Sequence, residues 1–569
     1  MRRGRLAILL TMTFALVIAL CTACERAPST VADVVFRGGS VYTVDSAHPR
    51  ASAVAVTGTR IVYVGDDAGS DALIGPKTRV IDLKGRMLLP AFRDSHVHPV
   101  TAGLRLDECA LDDLATPAQV ADSIARCAKA RPGDAWFRGH GWQLPVFPHA
   151  NPSRALLDSL VPDRPAYVRA ADGHSAWVNS RALALAHITA HTKNPPDGRI
   201  ERDAAGNPSG TLREGAADLV EALLPKTTAE ERVRGLERAV AYANSLGIVG
   251  LQEASADSEI LVAYHTLDQR GALNARVVAS IYVDPAAGTK QIPEMERLRR
   301  QFDGTRLRVR GAKIFADGVI ESHTSALLEP YTGTHDRGPA NLTPAAFDSL
   351  AIALDKAGFQ IHVHAIGDRA VRMTLDAIEA AQRANGAHDA RDHIAHLEMI
   401  DTLDLPRFKS LGVFANFQAL WAFRDSYIKD LTEPVLGPER SSRLYPIGSV
   451  AAAGGTIVGG SDWGVSSLNP LEAIEVGVTR CDPAATTACV SWLPKERVSL
   501  DRMIAAYTIV GAQLAFDEKN SGSIAVGKAA DLVVLDRDLF AIPPEQISRT
   551  RVLLTMLDGH DVYRDASLR

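Results

Sequence analysis

Short apolar runs alternate with amphipathic stretches through the middle of the chain. Eight of these runs read as strands. The first is Leu88 to His96, and the others end at Gln252-Glu253, Tyr282-Val283-Asp284, Ile314-Phe315-Ala316-Asp317, Val363-His364, His396-Leu397-Glu398, Phe417-Gln418 and Gly460-Ser461-Asp462. Helical spacing separates several of them. Phe347, Leu350, Ala351, Leu354 and Ala357 recur on one helical face and stop at Gly358; Glu231 to Leu246 stops at Gly247. Strands joined by helical crossovers predict a parallel sheet, and eight of them predict an α/β fold of the closed (β/α)8, TIM-like type.

The two chain ends read differently. Val34-Val35-Phe36, Val41-Tyr42, Ala53-Val54-Ala55-Val56 and Ile61-Val62-Tyr63-Val64 are strand-like near the start, and Leu532-Val533-Val534-Leu535 and Val552-Leu553-Leu554 near the finish. They predict one small β-sandwich domain shared by residues 33–89 and 515–569, around a barrel of residues 90–514. Residues from about 105 to 227 exceed a single crossover and carry their own strand candidate, Ala166-Tyr167-Val168-Arg169, so an insertion after the first barrel strand is expected.

Arg2, Arg3 and Arg5 precede an apolar run from Leu6 to Leu20 and then Cys21-Thr22-Ala23-Cys24. This pattern predicts an export signal over residues 1–23. Cys24 after small residues resembles the bacterial lipobox, which implies acylation of Cys24, a lipidated linker over 24–32 and a membrane anchor on the periplasmic or cell-surface side. Cys21 stands where that motif usually has Leu, so ordinary cleavage after Ala23 stays open.

Composition narrows the partners. The 569 residues are 46% hydrophobic and 23% charged, which excludes a disordered chain, and a net charge of −5 with no Lys/Arg block gives no nucleic-acid footprint. Six cysteines make no disulfide scaffold. In an oxidising compartment Cys109 could pair with Cys127 and Cys481 with Cys489; free buried thiols are the equal alternative.

Candidate chemistry gathers at the C-terminal ends of the strand candidates, the face on which barrel active sites are built. His96-Val97-His98 places two imidazoles on one side of an extended chain. Lys313 sits inside an apolar strand, where a lysine has few solvated options. His362, His364, His393 and His396 follow, and Asp462 ends the last strand. Each has a structural reading of its own; their recurrence at strand ends points to a metal site.

Pro90-Ala91-Phe92-Arg93-Asp94-Ser95-His96-Val97-His98 resembles the first metal motif of the amidohydrolase superfamily. Lys313 to Gly318, His364 to Asp368, His393 to His396, Gly460 to Trp463 and Asp172-Gly173-His174-Ser175-Ala176-Trp177 resemble amidohydrolase family 3, the branch that includes N-substituted formamide deformylases. The resemblance implies that His96 and His98 bind one divalent ion, and that His364 and His396 bind a second bridged by a carboxylated Lys313. An unmodified Lys313 favours a single ion. Zinc is the expected metal. Asp462 would touch the metal and act as general base, then acid, while metal-activated water attacks the carbonyl of a small amide-type substrate. Substrate contacts are expected from His140, Trp142, His174, Trp177, Arg213, Glu214 and Tyr331. Ala91, Arg93, His323 and Asn416 depart from the family pattern. The fold also admits a metal-dependent lactonase, isomerase or decarboxylase, or a non-catalytic metal-binding lipoprotein, and a homo-oligomer stays open.

Overall fold

The computed structural model describes residues 31–568 apart from 113 and 134. The expected signal over 1–23 and Cys24 therefore lie outside the described residues. Eight parallel strands form the central sheet: β1 (Phe92–Val97), β2 (Ile248–Ala256), β3 (Arg276–Tyr282), β4 (Leu307–Phe315), β5 (Gln360–Ala365), β6 (His393–His396), β7 (Phe414–Phe417) and β8 (Thr456–Gly459). They pair in chain order from β1 to β8. The ends of β8 and β1 meet through Asp462 N–H, which donates to His96 O at 2.7 Å, and His98 N–H, which donates to Trp463 O at 3.1 Å. The sheet is thus a barrel, the (β/α)8 form that the pattern predicts.

The crossover helices follow the apolar spacing. Helix Pro344–Lys356 is capped by the Thr343 side chain and buries Phe347, Leu350, Ala351 and Leu354. Each large apolar side chain so buried contributes about 1.5–3 kcal/mol relative to exposure. Helix Ala229–Ser245 opens with a reciprocal cap between Thr228 and Glu231.

The run from Leu88 to His96 is two strands, not one. Met87–Pro90 pairs antiparallel with Leu532–Leu535, whereas Phe92–Val97 belongs to the barrel. The chain changes sheet at Ala91, whose N–H donates to Asp531 O at 3.0 Å, while that of Phe92 donates to Gly247 O at 2.8 Å. Both strands are buried throughout, so no exposed position marks the switch.

A four-stranded sheet (Val34–Arg37, Ala53–Thr57, Arg60–Gly65, Arg79–Asp82) and a six-stranded sheet drawn from both chain ends enclose Phe36, Val54, Ile81, Leu88, Leu532 and Leu554. Arg276, at the start of β3, ties this sandwich to the barrel: Nε donates to Asp531 at 2.8 Å, and a second nitrogen reaches Asp558. Arg93 is buried, donates to Asp517 and Ser521 at 3.1 Å each, and lays its stem on Gly250, where a Cβ would lie 2.6 Å from its Cγ.

Between β1 and β2 lies a second six-stranded sheet, from Cys109–Ala110 through Phe137–Trp142, Ala166–Ala170, Ser175–Val178 and Pro208–Glu214 to Gly198–Arg202. Cys109 is bonded to Cys127 and Cys481 to Cys489. Among the described residues no helix is long and apolar enough to cross a membrane.

Candidate active site

The pleat of β1 puts Asp94 and His96 on one face, and His98 follows as the strand ends. Asp94 fixes that end: its Oδ1 accepts from the N–H of His96 at 3.1 Å and of Ser461 at 3.0 Å. Asp462 follows β8 with a φ of 55°, and His396 ends β6 with a φ of 79°. Side chains rarely adopt this left-handed region, at a cost of about 1–3 kcal/mol each, and strain of this kind gathers at functional sites.

Three of these groups converge. One ring nitrogen each of His96 and His396 and one carboxylate oxygen of Asp462 lie within 4.8 Å of one another. His396 Nδ1 and Asp462 Oδ1 are buried without a hydrogen bond. Asp462 Oδ1 also lies 3.1 Å from His98 Nε2 and 3.5 Å from His96 Nε2. Buried acceptors without donors are costly, and an imidazole–carboxylate set suits a divalent ion, so these residues fit the metal that the sequence implies.

Protonation agrees with that fit. Burial, with Lys313 and neighbouring imidazoles, holds His96 and His364 well below the usual range, and burial holds His396 at about 3. They are therefore neutral and able to ligate. Burial opposes ionisation of Asp462, but the close contact with His98 and nearby positive charge bring its carboxyl to about 2. For His98 burial is outweighed by its contacts with Asp462 and Glu253, which push it up to about 9 without metal.

Lys313 Nζ lies 3.4 Å from His96 Nε2 and is 1% exposed. Burial lowers it to about 7, so a substantial neutral amine exists at neutral pH, the form that attacks carbon dioxide. His364 Nε2 lies 3.2 Å from Gly318 O, and its ring is 4.4 Å from that of His396.

Sequence reasoning named His362 without its role and missed the other groups behind these side chains. Glu253, on β2, is 1% exposed; Oε1 lies 3.5 Å from His98 Nδ1, and Oε2 accepts from Tyr264 Oη at 3.1 Å. Its signal was a carboxylate inside the apolar β2, the same signal that singled out Lys313. His362 Nε2 lies 2.8 Å from His96 Nδ1, and its own Nδ1 lies 2.9 Å from Ser280 Oγ. If His96 ligates through Nε2, its Nδ1 proton goes to His362 and the His362 proton to Ser280, which sets both tautomers. Asp317 accepts from Ser325 Oγ at 2.8 Å and from the N–H of Ala326, Ile366 and Gly367 at 2.9–3.0 Å, joining the loops after β4 and β5.

The expected substrate residues separate into two groups. Trp142 and Trp177 are fully buried in the insertion, with their indole N–H groups on Val168 O and Ser153 O, so they are core. Arg213 is committed to Ser175 Oγ at 2.8 Å and Ala150 O at 2.6 Å. Tyr331 donates to Ser325 O at 2.9 Å and stacks on His323 at 4.3 Å, which makes it part of the loop after β4. Asn416 likewise faces inward and donates to Ser95 O at 2.8 Å. His140 Nδ1 lies 3.4 Å from Asp112 within the insertion. His174 and Glu214 reach the barrel: their side chains pair at 2.9 Å, and the charge of His174 is felt by Asp462, His364 and His396.

Comparison with known proteins places this arrangement. The chain is 29% identical over 545 residues to the protein LONG AFTER FAR-RED 3 of Arabidopsis thaliana, covering 94% of this chain and 92% of that one. It is 29% identical over 540 residues to the N-substituted formamide deformylase of Arthrobacter pascens, covering 93% and 97%. Its fold matches an uncharacterised metal-dependent hydrolase of Pyrococcus horikoshii OT3 with a TM-score of 0.71, at 21% identity over 90% of this chain and 99% of that one. Residues 79–563 match the amidohydrolase family, and with barrel, strand-end histidines and Asp462 in place, the chain belongs to that family.

Proposed function

We propose that this chain is an exported metal-dependent hydrolase that cleaves a non-peptide carbon–nitrogen bond of the amide or formamide type. The convergence of His96, His396 and Asp462 around buried atoms without hydrogen bonds carries the reading. The formamide deformylase of A. pascens, similar over nearly the whole chain, supports the bond type. His96, His98, His364, His396 and Asp462 would hold the metal, with Lys313 bridging two ions if carboxylated; zinc suits this donor set best. When bound, a divalent ion supplies Lewis acidity toward a carbonyl and lowers the pKa of water.

The chain's own groups do the rest. Asp462, ionised at neutral pH, takes a proton from the attacking water as its oxygen bonds to the carbonyl carbon. It returns that proton to the nitrogen as the carbon–nitrogen bond breaks. Glu253 holds His98 toward Asp462, and Asp94 holds the ends of β1 and β8 in register. The signal-like start and two disulfides support export, and Cys24 is the proposed lipid anchor.

The test is metal analysis of the purified protein, followed by turnover of N-formyl amines, N-acyl amino acids and lactones. Asp462→Asn should retain metal and lose turnover; full activity in that variant with metal bound would remove Asp462 from its role.

A further inference from the structure

We propose that His174, carried on the insertion and oriented by Glu214, is a catalytic residue that donates a hydrogen bond from Nε2 to the substrate's carbonyl oxygen. This rests on the hydrolase reading above and adds a group from outside the barrel to it.

The geometry is built from both sides. His174 Nδ1 lies 2.9 Å from Glu214 Oε2. The backbone repeats the link, Glu214 N–H donating to His174 O at 2.9 Å. Glu214 Oε1 accepts from Thr324 Oγ1 at 3.3 Å; Gly318 N–H donates to Thr324 O at 3.0 Å; Gly318 O lies 3.2 Å from His364 Nε2. An unbroken chain of polar contacts thus runs from the insertion's imidazole to a candidate metal ligand. Glu214 holds its place with φ 47° and ψ −134°, a conformation costly for any residue but glycine.

With Nδ1 committed to Glu214, Nε2 is the ring nitrogen left to meet a ligand, and among the described residues it has no hydrogen-bond partner. The ring is 26% exposed, unlike the fully enclosed His362 and His393. The charged groups that act on it are Glu214, Asp172 and Asp462, and its own charge acts on His364 and His396. Burial disfavours its cation, but the bond to Glu214 and the negative charges win and push it up to about 9. His174 is therefore a cation at neutral pH, able to donate and unable to accept. Negative charge develops on a carbonyl oxygen as water adds, and a fixed cationic donor stabilises it more than the ground state. No proton is transferred in this role, so Asp462 still serves the leaving nitrogen.

The test uses the metal-loaded, full-length protein with whichever amide it turns over best. His174→Gln should lower kcat by about 10²–10³ with little change in KM, metal content or melting temperature. Wild-type kcat should fall on the alkaline side of neutrality, where the imidazolium is lost. Glu214→Gln should move that alkaline limb down toward the ordinary histidine range near 6.5. It reads the same limb if His174→Gln does not fold. If wild type turns over an amide and Asp462→Asn does not, yet His174→Gln keeps kcat within threefold and both variants keep the wild-type limb, the role of His174 is overturned and the hydrolase reading stands. If the metal-loaded wild type hydrolyses no amide, the hydrolase reading falls and takes this role with it.

Discussion

Replacing Glu253 by glutamine tests how the site holds His98. The change keeps the shape of the side chain and its hydrogen bond from Tyr264, and removes the charge beside His98 Nδ1. A hydrogen bond to a charged group is worth about 1.5–3 kcal/mol. At 3.5 Å the His98–Glu253 contact is long, so the lower figure applies. A loss of about 1.4 kcal/mol is tenfold in an equilibrium constant, so Glu253→Gln should weaken metal binding roughly tenfold. That agrees with the 10–100-fold cost usual when a carboxylate behind a metal-bound histidine is removed. The assay is titration of metal-free protein with zinc against a chromophoric chelator at pH 7.5, run beside wild type and His98→Ala. An affinity within twofold of wild type would refute the reasoning, because His98 would then need no support. A loss as large as that of His98→Ala would refute it too, because Glu253 would then be as necessary as the ligand it supports.

Two further outcomes follow from charges the fold encloses. In the metal-free protein His98 titrates near 9 rather than its ordinary 6.5, so its ion pair stabilises the fold fully below pH 6.5 and is lost as pH rises through 9; this is worth up to about 3 kcal/mol. The melting temperature of metal-free protein should therefore fall between pH 7 and 10 more steeply in wild type than in His98→Gln, and equal slopes would contradict it. Arg276→Ala leaves the Asp531 side chain, 3% exposed, without its ion-pair partner. It should cost about 3–5 kcal/mol in denaturant unfolding, and a loss below 1 kcal/mol would show that the barrel–sandwich junction does not depend on it.

The barrel and the ligand candidates were legible because each is a polar side chain at the end of an otherwise apolar strand, where burial is cheap only with a partner. The same logic applied to Glu253 went unused, since a lone carboxylate has too many structural readings without the histidine it faces. Trp142 and Trp177 misled for the opposite reason. Large aromatics suit a binding loop and a small core equally, and only the sheet of the insertion, which encloses both, decides between them. Gly-containing Asp172-Gly173-His174 sits on a turn of that same sheet, and nothing local in Leu212-Arg213-Glu214 announces that the two meet. That pairing is set by the antiparallel register of Ser175 with Arg213.

The pairing of Met87–Pro90 with Leu532–Leu535 has a consequence for the order of events in folding. The strand that leads directly into His96 and His98 has Ser40–Tyr42 on one side but finds its other neighbour hundreds of residues later, so a growing chain cannot complete both sides of this entry strand until Leu532–Leu535 has been made. Contacts this distant along the chain are slow to form. The first strands of the sandwich remain an open edge until the last ones arrive. A nonsense truncation before Val552 would spare every metal-ligand candidate and still leave Leu532–Leu535 an apolar edge strand, paired on one side only and prone to self-association. Val552–Leu557 and His560–Arg564 therefore protect the sheet behind a centre to which they contribute no ligand candidate.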